Sequence, residues 1–128
     1  MHTTVTKKGF TLPEVVVAAA LLLIAIVPIL KALTQANLNS IIIGRRTQSL
    51  CLAQGKLNQI KAKSIYNFDG ISTQDDEILS GSYLCDTTVS GSSDLKAVSV
   101  SVGLDLNGNG LTDDEFEVTL QSQIARRW

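Results

Sequence analysis

Very little in this chain is equipped for catalysis. The one histidine, His2, stands in a polar N-terminal stretch, MHTTVTKKG. A His-based triad or general base needs an imidazole held against a nucleophile, and a zinc site needs several nitrogen or sulfur ligands. There is no HExxH and no glycine-rich phosphate loop. The carboxylate pairs Asp75-Asp76 and Asp113-Asp114 lie in loop-like sequence and read as solvated charge. No enzymatic activity is expected, and no cofactor is required.

Two other groups of residues carry chemistry. The first is a carboxylate, Glu14, beside an uncharged apolar run from Val15 to Leu30. The second is the run Asp105-Leu106-Asn107-Gly108-Asn109-Gly110-Leu111-Thr112-Asp113. It resembles the first nine positions of an EF-hand loop, with side-chain oxygens at the first, third, fifth and ninth places and glycine at the sixth. Asp105, Asn107, Asn109 and Asp113, with the carbonyl of Leu111, are therefore calcium candidates. The resemblance stops at the twelfth place, where Phe116 replaces the bidentate glutamate and the flanks read as strands. A polar turn without metal is the competing reading.

The elements that position these residues can be read from patterning. Of 128 residues, 45% are hydrophobic but only 5% aromatic, and the apolar excess is concentrated in residues 10–43. With Phe10 to Pro13, the apolar run reaches about the 20 residues that span a bilayer. Lys7 and Lys8 precede it and a lone Lys31 follows, which puts the N-terminus in the cytoplasm and the rest outside. Beyond the membrane, Leu33, Ala36, Ile41, Leu50, Leu57 and Ile60 continue an apolar stripe at helical spacing. One helix from about residue 12 to 64 is predicted, roughly 80 Å long at 1.5 Å per residue. Pro28 is expected to kink it.

Residues 67–81 read as a loop. Three strands are predicted after it: Ser82–Val89, Ala97–Leu106 and Glu115–Ile124. The apolar positions of the last two are all even-numbered. Paired residues of an antiparallel hairpin share a face, so even must pair with even. The connection must then be odd in length or carry a bulge, which excludes a two-residue Asn-Gly turn. Charge divides along the chain: Phe10–Ser64 carries 6 − 1 = +5 and Ile65–Trp128 carries 3 − 11 = −8. An acidic head argues against nucleic acid as the ligand.

The segment Lys7-Lys8-Gly9-Phe10-Thr11-Leu12-Pro13-Glu14, followed at once by the apolar run, resembles the leader and N-terminus of type IV pilins and type II secretion pseudopilins. The resemblance covers residues 7 to about 64. It implies cleavage by a prepilin peptidase after Gly9 and methylation of the new N-terminus at Phe10. Glu14 fits the same picture. A carboxylate in a spanning segment costs about 2.5–3.5 kcal/mol near the helix centre, and less near the interface. In the family its partner is the N-terminal amine of a neighbouring subunit. An interfacial glutamate welcomed by the helix N-terminus is the alternative. Pro13 departs from the family's usual aliphatic residue, but proline is tolerated in a first helical turn. A secretory signal peptide would need a small-x-small site after the apolar run, and Lys31-Ala32-Leu33-Thr34 offers none.

The resemblance implies an α+β, pilin-like fold: a long N-terminal helix packed on a small antiparallel sheet of three to four strands. The divisions are a leader at 1–9, a transmembrane helix at 10–30, an amphipathic helix at 31–65 and a β-rich head at 66–128. The implied role is a structural subunit of a pilus-like filament in the inner membrane, its head outside, periplasmic in a Gram-negative cell. Implied partners are the peptidase, other pilin or pseudopilin subunits, a cytoplasmic ATPase and an inner-membrane platform protein. The short head points to a minor pseudopilin of type II secretion. The alternative is a minor pilin or competence pseudopilin contacting DNA or a surface. With the head outside, Cys51 and Cys85 fall in elements expected to pack together and are disulfide candidates, with buried free thiols as the alternative.

Overall fold

The computed structural model describes residues 9–127. Its elements are helix α1 (Leu12–Tyr66) and strands β1 (Gln74–Ser80), β2 (Tyr83–Gly91), β3 (Leu95–Leu104) and β4 (Phe116–Ala125). The chain divides into two compact units, Met1–Ser40 and Ile41–Trp128.

The described part of the first unit is helix from Leu12 onward. Its large side chains, among them Val16, Leu21, Ile24 and Leu30, are all exposed. Mean hydropathy reaches 2.7 over an 18-residue window of which nothing is buried. Such a surface has no stabilising counterpart within its own unit and calls for lipid or another apolar helix. The helix continues through Pro28. Beyond the proline, the Thr34 hydroxyl donates to the Leu30 carbonyl at 2.9 Å.

The second unit packs the outer part of α1 on a four-stranded antiparallel sheet in the order β1-β2-β3-β4. The helix contributes Ser49, Ala53, Lys56, Leu57 and Ile60, spaced at helical intervals. The sheet answers with Cys85, Val98, Val100, Val102 and Ile124, and the connecting segment adds Phe68 and Ile71. Small residues at positions 49 and 53, both fully buried, let the helix lie close to the β-branched side chains of β3. Leu50, expected in the stripe, is 39% exposed. It stands about 100° round the helix from Ser49, off the buried face.

The register of the last hairpin is even with even: Val98↔Ser122, Val100↔Leu120, Val102↔Val118. The parity rule is met by a bulge, since the next pair is Gly103↔Phe116. The extra residue, Glu117, donates nothing to the ladder count but brings its carboxylate to the helix, where Ser49 Oγ donates to Oε2 at 2.7 Å. Gly103 is required there, because a Cβ would run into the Glu115 carbonyl.

Residues 67–81 are not wholly a loop. Gln74–Ser80 forms β1, an edge strand paired with β2 through an irregular register. Its sequence, QDDEILS, lacks strand alternation, so backbone pairing with β2 rather than side-chain burial creates it. Asp76 takes a left-handed backbone, φ 52°. Acids and register breaks are the usual ways to blunt a sheet edge.

Candidate assembly and processing site

The helix N-terminus is built by Thr11 to Val15. Leu12 opens α1, so Thr11 stands at the N-cap and Glu14 at the third helical position. The Thr11 N–H donates to Glu14 Oε2 at 3.3 Å, and the Val15 N–H donates to the Thr11 carbonyl at 3.2 Å. This is one arm of a capping box, in which a carboxylate answers a backbone amide that the helix itself leaves unpaired. Pro13 lies in the first turn, where its missing N–H removes no hydrogen bond. Glu14 is therefore held at the helix start by its own chain.

Gly9 and Phe10 precede the helix outside any regular element, both exposed, Phe10 by 89%. A protease needs an accessible carbonyl, and Gly9 adds no side chain to block approach. Lys7 and Lys8 lie outside the described residues. From Phe10 onward a shallow groove of about 460 Å³ follows one face, lined by Glu14, Val15, Ala18, Ala19 and Leu22. One carboxylate stands at the head of an otherwise apolar groove, floored in part by alanines that permit close helix approach.

Residues 6–30 match the prokaryotic N-terminal methylation motif. With the long apolar helix and the helix-on-sheet head, this motif supports a place in the type IV pilin and pseudopilin family. No curated protein and no solved structure matches it. The motif implies processing by a prepilin peptidase and assembly with other pilin subunits. The helix and motif together fit a single-pass membrane anchor.

The remaining candidates fare differently. The disulfide candidates Cys51 and Cys85 are both free thiols here, Cys51 exposed and Cys85 buried. Cys51 lies about 200° round α1 from Ser49, nearly opposite the buried stripe, while Cys85 faces that stripe from β2. Burial pushes the Cys85 thiol up, which leaves it a small core side chain rather than a nucleophile.

The Asp105 loop is turned on itself. Asp105 Oδ1 accepts the N–H groups of Asn107 (3.1 Å) and Gly108 (2.7 Å), and Oδ2 accepts that of Gly110 (3.2 Å). Asn107 Oδ1 accepts the Asn109 N–H, and Glu115 holds Asn107 Nδ2 and Thr112. Desolvation raises the Asp105 carboxyl, but the backbone amides together outweigh it and hold the group below the usual carboxylate range. Asp76 reaches across from β1 to accept the Leu111 N–H at 3.0 Å, beside Gly110 at φ 89°. No three His, Cys, Asp or Glu side chains gather around a common point among the described residues. The side-chain oxygens of Asp105 and Asn107 thus serve the turn, and Asp113 is exposed.

Sequence reasoning missed two polar contacts that tie the head together. Lys56 is buried on the helix face, paired with Glu77 and 3.4 Å from Gln74 Oε1, which anchors β1 to α1. Phe68 lies between Lys96 Nζ, 4.9 Å from the ring centre, and the Arg126 guanidinium at 5.0 Å. Lys96 also donates to the carbonyls of Phe68 and Ile71. The spacing of Lys56 between Ala53 and Ile60 was a usable signal, but a lysine reads by default as solvent-facing.

Proposed function

We propose that this chain is a structural subunit of a type IV pilus-like filament, and more specifically a pseudopilin of type II secretion. The observation that carries the reading is Glu14, a carboxylate capping its own helix at the head of an apolar groove, within the methylation motif. Cleavage after Gly9 would place a positive amine on Phe10 close to the depth of Glu14. In an assembled filament the Glu14 carboxylate of one subunit then meets the amine of another, where low dielectric strengthens the pair. Its own Thr11 amide serves as the partner beforehand. The N-terminus faces the cytoplasm and the head lies outside, following Lys7, Lys8 and the apolar run. The short connections of the head support secretion rather than a surface pilus.

Mass spectrometry of membrane-extracted protein tests the reading. The expected N-terminus is methylated Phe10. An intact Met1 in cells that contain the peptidase would overturn it.

A further inference from the structure

A groove of about 400 Å³ runs between the last turns of α1 and the end of β4. Its lining includes Ala62, Ile65, Ile124 and Ala125, together with Lys61 and Arg127. Both cations are exposed, and Ile65 is 55% exposed. The groove therefore offers an apolar floor with positive charge beside it.

The other end of β4 carries the reciprocal chemistry. The connection between β3 and β4 presents Leu106, 70% exposed, with the exposed carboxylates Asp113 and Asp114. The turn is held rigid by Asp105, Glu115 and Asp76, so Leu106 is offered from a fixed frame. Loop and groove lie at opposite ends of a ten-residue strand, about 30 Å apart at the rise of a strand. One molecule cannot bring its own loop to its own groove.

We propose that the 105–115 loop of one copy docks in the α1–β4 groove of a second copy. Leu106 rests on Ile65 and Ile124, and Asp113 and Asp114 face Lys61 and Arg127. The two surfaces are different, so the contact is head-to-tail and leaves a free loop at one end and a free groove at the other. Contacts of that kind propagate into open filaments instead of closing into dimers. The inference rests on the filament-subunit reading and names a contact between heads within it.

The test uses the full chain, with Cys51→Ser, in cells that contain the assembly machinery. Leu106→Cys and Ile65→Cys are placed together in one chain, and the membranes and sheared filaments are oxidised. The expected result on a non-reducing gel is a ladder of dimers, trimers and higher species, while each single-cysteine chain stays monomeric. Asp113→Lys with Asp114→Lys should reduce the ladder about tenfold, and adding Lys61→Glu with Arg127→Glu should restore it. No ladder, equal bands from the single-cysteine chains, cross-links only to other proteins, or no rescue by the reversed charges would each overturn the docking. Protein found in sheared filaments without a ladder overturns the docking alone. Protein missing from filaments overturns the filament reading as well.

Discussion

The two parts of α1 solve opposite problems with the same backbone. From Val15 to Leu30 the helix is apolar on every face, and none of it up to Ser40 is buried in its own unit. After Ile41 it is largely polar, and its buried stripe is narrow: serine, alanine, lysine, leucine and isoleucine. The first part gains little from its own chain and depends on lipid or neighbouring helices. The second part gets its partner from its own sheet. A helix, then, does not reveal what stabilises it; the width and chemistry of its apolar face do.

The largest expected effect tests the first part. Glu14→Ala should insert in the membrane as well as the parent chain or better, since a carboxylate is removed from the apolar segment. Assembly into filaments should fall by about tenfold or more, because a charged partner is left unpaired in low dielectric. Recovery in sheared filaments against membrane content measures both. Normal assembly would show that Glu14 serves only as a helix cap, and the contrast between the two parts would lose its functional half.

The second part responds to a different change. Val100→Ala removes two methyl groups from a fully buried position against the helix. It should destabilise the head by about 2–3 kcal/mol, read by denaturant unfolding of the detergent-solubilised chain. Membrane insertion should not change. A loss of insertion would mean that the two parts are not independent in stability.

The smallest effect lies in the Asp105 turn. Its folded-state carboxyl is held low by backbone amides, so the stabilisation is full above the unfolded value and is lost as pH falls through the lowered one. Amide exchange at Gly108 and Gly110 should therefore accelerate, beyond its intrinsic pH dependence, only in acid below the ordinary carboxylate range. Asp105→Asn should remove that acid step. An unchanged step would assign it to another carboxyl of the loop.

Much of this architecture was legible in the residues, and the failures have physical causes. The helix was readable because an unbroken apolar run and a helical stripe follow one another with no stop signal before Asn67. Strands β3 and β4 were readable because Val98, Val100 and Val102 alternate against Val118 and Leu120. Parity alone called for an odd connection or a bulge, though not which of the two or which residue would be extruded. Strand β1 was missed because QDDEILS has no alternation, and pairing to β2 overrode propensity. The sequence left the two cysteines open between a disulfide and free thiols, because knowing that two elements pack does not say which face of the helix is turned inward. Leu50 and Lys56 failed for the same reason, since position on the helix, not hydrophobicity, decided which was buried. At the N-terminus, Gly9, Phe10 and Glu14 stood out as a linear motif, but the contact of Glu14 with the Thr11 amide needed coordinates.

The irregular edge strand β1 has a further consequence. Proteins tethered to one bilayer form a two-dimensional reservoir, where collisions between heads are far more frequent than in bulk solution. A long, regular, uncharged edge would let neighbouring sheets add to one another without order. With Asp75, Asp76 and Glu77 along it, a left-handed residue in its middle and two breaks in register, β1 refuses that addition. The head can thus be stored at high density without clumping, and only contacts that respect the intended geometry are left to grow.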